Sequence, residues 1–371
     1  MIDILNYFVN SSYDIILYTG KIEKTYSDLS NKIKVRKLFT YKRNSSFNRI
    51  LTWIIFFIQS LLLLFFDSNS KTKVYFSSNP PFAPFISLFY NLKYYIHIYD
   101  VYPDALLASP KITENSFSYK LFSYLNNKVF KKSERVLTAS EGMKNMLEKY
   151  VNKNKILVVN WWADTDYIKP IKKEDNKFIE RYNLKDKFIV MYSGNFGFTH
   201  NIEKILNLAR DLKEQKDIMF VIIGDGPKKK IVDEFNRKNN LDNLLVLPFQ
   251  DEEMLPYSLA SSDISIILDS FSYHDKNIST ASIPSKTYYL MSAGSAIIAI
   301  ADKHSELNRL IKEYNIGFVD SHEDNSNIIA FIKECIADKN FLKTFKINSR
   351  NASKSFTKNN AKIIYDLITN G

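Results

Sequence analysis

The sequence predicts an α/β protein of two domains with a cleft between them. Three observations predict it. The 371 residues are 25% charged and 45% hydrophobic, a balance that can bury cores and excludes a disordered or low-complexity chain; at roughly 100–200 residues per domain the length makes two. Short apolar runs alternate with helical patterns twice along the chain, which means parallel sheets with crossover helices on both faces. The polar stretch 163–186 separates the two runs.

In the first run, strands are expected at 13–19 (YDIILYT), 74–78, 94–99, 135–139 and 156–159, with helices at 118–130 and 141–151. The second run begins after residue 180. It reads as strand 188–193 (FIVMYS), helix 202–214, strand 219–224, helix 227–239 and strand 244–247. Helix 254–261, strand 264–268, helix 286–293 and strand 296–299 follow. The most apolar stretch is 51–66, LTWIIFFIQSLLLLFF, with Gln59 and Ser60 at its middle. As a helix it is about 24 Å long against a bilayer core of about 30 Å. A buried helix, a helix lying in the membrane interface and a spanning helix are all open. Lys42, Arg43 and Arg49 before it suit an interfacial helix near anionic lipid. Such a helix would bury one face and leave several Phe or Leu side chains near solvent. At the start, MIDILNYF has an acid where a secretory leader is basic, and no small-residue cleavage site follows.

Lys and Arg number 51 against 40 Asp and Glu, a formal net charge of +11. Such a surface favours nucleic acid, anionic lipid or phosphorylated ligands, or is a lysine-rich solvated face. The lysines are spread without a basic–aromatic strip, so nucleic acid is not an expected partner. One cysteine, Cys335, allows no internal disulfide and no cysteine metal cluster, and fits a reducing compartment. His97, His200, His274, His304 and His322 form no HExxH and no close pair, so no metal site is expected.

The chemistry concentrates in the second run. Ser193-Gly194-Asn195-Phe196-Gly197 follows a strand and opens a helix. A glycine turn there exposes N–H groups at a helix N-terminus, which is an anion site or a tight turn without a ligand. Gly224-Asp225-Gly226-Pro227 ends another strand, but neither GxGxxG nor GxxxxGK[ST] occurs. Lys228, Lys229 and Lys230 read as a phosphate hook or a solvated helix start. Pro284 and Ser285 open a helix, Lys286 sits in its first turn and Gly294 closes it. A cation in the first turn opposes the helix dipole, so an anionic ligand is a natural reason for Lys286, with an exposed, indifferent lysine as the alternative.

The order of SGNFG (193–197), VIIGDGP (221–227), LPF (247–249), LPY (255–257), SDI (262–264), PSK (284–286) and SAG (292–294) is joined by NPP (79–81), DVYPD (100–104) and SEGM (140–143). Together they resemble the GT-B glycosyltransferases of family 4, in the branch of the colanic-acid and O-antigen enzymes. The resemblance implies two Rossmann-like domains. Residues 1–163 form the acceptor side, 164–355 bind the nucleotide sugar, and 356–371 form a helix crossing back to the first domain. It implies a retaining hexosyl- or N-acetylhexosaminyl-transferase that needs no metal or other cofactor. The donor is a nucleotide-diphosphate sugar; the expected acceptor is lipid-linked, in capsule or O-antigen assembly, with the enzyme peripheral at the cytoplasmic face of the inner membrane. By position, Gly194, Asn195, Phe196, Gly197, Pro284, Ser285 and Lys286 face the diphosphate. Leu247 and Pro248 border the base, and Asp100 contacts the sugar or activates the acceptor. Fixed dipoles and cations aimed at a departing diphosphate lower its barrier.

Two departures stand out. The Glu-x7-Glu pair of many relatives would fall at Ala281 and Tyr289, and neither is acidic. The usual opening strand and glycine-rich loop are missing, because MIDIL matches the family's first helix. A late reading-frame start is the expectation, and loss of the strand is the alternative. A nucleotide-sugar epimerase of the same fold would need acids in the cleft and has no use for an apolar 16-mer. A non-catalytic, degenerate subunit is the other competing reading.

Overall fold

The computed structural model describes residues 1–9, 11–20, 32–42, 45–108, 112–269, 280–320 and 324–370. Two compact units result, one of Met1–Asn160 with Lys358–Gly371, the other of Trp161–Thr357. The crossings fall at 160/161 and 357/358 rather than at 163/164 and 355/356. The reason is local: Ala163 N–H donates to Phe356 O at 3.1 Å, and Ala163 bridges Thr357, so both segments belong to the second unit.

The first unit runs through α1 (Ile2–Val9), β1 (Ile15–Thr19), β2 (Ile33–Lys37), α2 (Ser46–Asp67), β3 (Lys73–Ser77), β4 (Lys93–Ile98), α3 (Phe117–Lys132), β5 (Arg135–Thr138), α4 (Glu141–Leu147) and β6 (Ile156–Val158). Its strands form two parallel sheets, β1–β2 and β3–β4–β5–β6. The apolar run 51–66 lies inside α2, which is 22 residues long because Ser45 caps it by accepting from Asn48 N–H at 3.1 Å. That makes it about 33 Å, so length no longer argues against spanning a bilayer.

The second unit contains α5 (Lys177–Arg181), β7 (Phe188–Ser193), α6 (Ile202–Asp211), β8 (Ile218–Ile223), α7 (Lys229–Asn239), β9 (Leu244–Leu247), α8 (Leu255–Ala260) and β10 (Ile264–Leu268). Then come α9 (Lys286–Ala293), β11 (Ala296–Ile300), α10 (Glu306–Tyr314), β12 (Gly317–Asp320), α11 (Ser326–Ala337) and α12 (Lys339–Ser353). The six strands are parallel in the order β12-β11-β10-β7-β8-β9. ISIIL of β10 and AIIAI of β11 are apolar at nearly every position because helices cover both faces of a parallel sheet. On α6, Ile202, Ile205, Leu206 and Ala209 recur at helical spacing and are buried. The chain winds from β7 outward to β9, then returns to β10 and winds the other way. The reversal between β7 and β10 opens a crevice at their carboxyl ends, where such sheets bind ligands.

The last helix, α13 (Asn359–Asn370), returns to the first unit. Its Tyr365 ring lies 4.9 Å from Phe8 and 6.2 Å from Tyr7 of α1, and Lys73 Nζ donates to Ile368 O at 2.6 Å.

Candidate functional site

The crevice of the second unit is built from two interlocked glycine loops. After β7, Gly194 N–H donates to Ile223 O (2.9 Å) and Phe196 N–H to Asp225 O (2.8 Å). In return Lys228 N–H donates to Phe196 O at 3.1 Å. Gly224 permits this approach, since a Cβ there would stand 1.9 Å from Gly194 O. Gly294 does the other glycine task, closing α9 in the left-handed region at φ 72°.

Onto this platform α9 projects Lys286. Its Nζ lies 4.3 Å from the centre of the Tyr192 ring and 3.4 Å from Ser193 O. Among the described residues no carboxylate pairs with it. Burial pushes its pKa from 10.5 down to about 8. Lys286 is therefore a poorly solvated cation at the start of a helix, where the dipole is also unfavourable to it. An anion between β7 and α9 would relieve both costs. Ser285, the cap residue, is exposed and makes no side-chain bond to the first turn.

His200 stands in the positive field of two lysines. Its Nδ1 is buried without a hydrogen-bond partner, and burial first, then Lys286 and Lys228, hold its pKa below the ordinary value. Lys228 is no free hook: its Nζ pairs with Glu203 at 2.9 Å and donates to His200 O at 2.8 Å. Lys229 pairs with Asp233 along α7.

The sequence-predicted residues separate into those at the crevice and those elsewhere. Gly194, Asn195, Gly197 and Lys286 gather at the carboxyl end of β7; the Lys286 Nζ is 2.8 Å from where a Gly194 Cβ would be. Phe196 does not present its ring there. It is fully buried against Tyr192, at 6.3 Å, and its N–H is taken by Asp225, so this residue is core. Leu247 is also largely core, packed in the cluster of Phe178 and Ile223, and its carbonyl accepts from Gly224 N–H. Pro248 is exposed beyond it and Pro284 is half-buried before α9. Two rings given no role from the sequence, Phe198 just past the SGNFG motif and Phe249 at the end of LPF, stand 79% and 56% exposed in the loops after β7 and β9. Each offers an apolar face of the kind a base or sugar stacks on.

Asp100 lies in the first unit, on the rim of a small pocket with Ser78, Pro81, Tyr102 and Phe122. Its carboxyl opens to solvent from a concave setting, and the partial loss of water raises its pKa. Neither Ala281, which is buried, nor Tyr289, on the exposed side of α9, supplies an acid. Among the described residues no three His, Cys, Asp or Glu side chains are grouped to hold a metal ion. Arg43, His274, His322 and residues 270–279 lie outside the described residues.

The family model described as Glycosyl transferases group 1 matches residues 172–352. These residues are a group 1 glycosyltransferase domain. WbjE of Pseudomonas aeruginosa, named as a glycosyltransferase, is 26% identical over 239 residues, 63% of this chain and 58% of WbjE. WcaI of Escherichia coli, named for colanic acid biosynthesis, is 23% identical over 55% of this chain and 49% of its own length. The chain thus spans about half the length of these curated relatives. Among solved structures, HepE of Anabaena in complex with UDP-glucose aligns with TM-score 0.74 at 12% identity, over 100% of this chain and 94% of HepE. WaaG, a glycosyltransferase involved in lipopolysaccharide biosynthesis, aligns with TM-score 0.73 at 10% identity, over 100% and 95%. These likenesses show the fold, which is GT-B. The matched residues lie within the second unit and include those of the Lys286 crevice.

Proposed function

We propose that the chain is a retaining glycosyltransferase that moves a hexosyl or N-acetylhexosaminyl group from a nucleotide-diphosphate sugar to a lipid-linked acceptor. It serves bacterial surface-polysaccharide assembly, O-antigen or capsule, as a peripheral protein at the cytoplasmic face of the inner membrane. The observation that carries the reading is the uncompensated Lys286 at the reversal of a doubly wound sheet. In the transfer, the bond from the sugar C1 to the diphosphate oxygen breaks, and the acceptor oxygen bonds C1 on the same face. Negative charge then grows on the leaving diphosphate. Lys286 Nζ and the N-terminus of α9 are placed to meet it, and preformed charges aimed at developing charge lower a barrier without reorganisation. This leaves no step for a metal or other cofactor. Asp100, with its raised pKa, is the acceptor-side candidate, since a base closer to neutrality transfers protons more effectively. The name of WbjE supports a glycosyltransferase, that of WcaI supports the pathway class, and the UDP-glucose of HepE supports the donor class.

Radiolabelled nucleotide sugars incubated with the protein and bacterial membranes test this. Label should move into the organic-extractable fraction with anomeric configuration retained, and Lys286→Met should cut the rate by roughly a hundredfold. An epimerised nucleotide sugar as the only product would establish an epimerase, and no turnover with any donor would establish a non-catalytic subunit.

A further inference from the structure

Resting on the reading of the acceptor as lipid-linked, we infer that α2 and α3 form a two-helix membrane footprint that lies flat in the headgroup region of an anionic bilayer. Along α2, Phe47, Ile54, Ile58, Leu62, Phe65 and Phe66 are all exposed, Phe65 and Phe66 by 71% and 78%. From Phe47 to Phe65 the intervals are seven, four, four and three, which puts these five on one stripe, and Phe66 lies beside it. A run of large apolar side chains left open to water marks an interaction surface.

The helix is long and apolar enough to cross a membrane. Its other face decides against crossing. Thr52, Ser60 and Leu64 are buried, the Trp53 ring lies 5.9 Å from Tyr41, and Phe39 N–H donates to Gln59 Oε1 at 2.8 Å. At the end of the helix Tyr18 OH and Arg36 Nε each donate to Asp67 Oδ2 at 2.9 Å. These attachments run from residue 52 to residue 67, and a spanning helix would strip every one of them. A helix fixed along one side and apolar along the other lies in the interface plane.

On α3, Phe117 (80% exposed), Leu121 and Tyr124 repeat the pattern. The opposite side of α3 places Phe122 5.9 Å from Phe82, which itself lies 5.8 Å from Trp53 of α2. The two apolar stripes thus flank one segment of the first unit.

Charge selects the occupant. Residues 32–67 hold seven Lys or Arg and one acid, Asp67, which pairs with Lys34 and Arg36; residues 115–133 hold four Lys and no acid. On α3, Lys128 lies over the exposed Tyr124 ring at 4.7 Å, a pairing of cation and ring suited to headgroups. A second copy meeting this face would set like charge against like. Anionic lipid satisfies both the apolar and the basic parts.

Flotation of the full chain tests the inference, with phosphatidylcholine vesicles made with and without phosphatidylglycerol. The wild type should float only with the anionic vesicles, be released by high salt and be extracted by alkaline carbonate. F65S/F66S, which changes only exposed rings, should bind at least about tenfold more weakly. Calorimetric titration of UDP into both proteins reports separately on the nucleotide reading, and both should give the same affinity or the same absence of binding. Four results would overturn the footprint: no flotation of the wild type, flotation indifferent to phosphatidylglycerol or to the substitutions, resistance to carbonate, or self-association that F65S/F66S abolishes.

Discussion

Lys286→Met should make the protein more stable and its binding of nucleoside diphosphate much weaker. The two effects have one cause. The wild-type ammonium has lost solvent without gaining a carboxylate, and its pKa falls from 10.5 to about 8. Folding therefore carries the full penalty of holding this charge below about pH 8. The penalty fades as pH rises from about 8 towards 10.5, because the folded chain sheds the proton before the unfolded chain does. Methionine fills much the same volume without the charge, so a gain of about 1–2 kcal/mol at neutral pH is expected, allowing for the part of the side chain that water still reaches. In binding, the loss of a charge-assisted bond to phosphate should cost about 2–3 kcal/mol, close to a hundredfold. Wild-type affinity should be level below about pH 8 and fall by up to tenfold per unit above it, until Lys286 begins to titrate in the complex. Scanning calorimetry and isothermal titration read the two signs. A variant with unaltered melting and unaltered affinity would make Lys286 an ordinary surface lysine.

Asp104→Ala should be the most destabilising single change in the first unit. Asp104 is 3% exposed and accepts from Tyr119 OH (2.9 Å) and Tyr150 OH (2.7 Å) while pairing with Lys149. Alanine would leave two buried phenols without their acceptor and a lysine without its partner. Removing one side of such a network costs about 3–5 kcal/mol. Asp104 also ends the loop that carries Asp100, whose middle is held by Asn126 Nδ2 donating to Tyr102 O at 2.6 Å. Transfer to acceptor should therefore fall along with stability, whereas UDP affinity in the second unit should not change. Asp104→Asn keeps one acceptor oxygen and should lose less. Urea unfolding followed by tyrosine fluorescence would show the shift, and an unchanged midpoint would mean that the network is dispensable.

Much of the second unit was legible because its strands are apolar runs bounded by polar residues. FIVMYS, LLVL and ISIIL lie where their patterns put them, at β7, β9 and β10. β2 was not legible: IKVRK alternates charge with aliphatics, and its Arg36 pairs with Asp67, thirty-one residues on. The length of α2 was underread because counting apolar residues from Leu51 ignores the Ser45 cap. Within the site, glycines and Lys286 were readable from local rules for turns and helix starts. Phe196 was misplaced because a motif carried over whole does not say which of its side chains turns into the core. His200 carried no signal, since a lone histidine becomes part of the site only when the sheet order brings α9 beside β7. Asp104 is a similar case: DVYPD drew attention to Asp100, but the buried and triply held carboxylate is the second of the pair.

The central claim is that the crevice between β7 and α9 holds a diphosphate. Isothermal titration of UDP, GDP, ADP and dTDP into the full chain, beside the matching monophosphates, addresses it most directly. At least one diphosphate should saturate the protein and bind well above its monophosphate, with that margin lost in Lys286→Met. Diphosphates that bind no better than monophosphates, or a margin that survives the loss of Lys286, would contradict it.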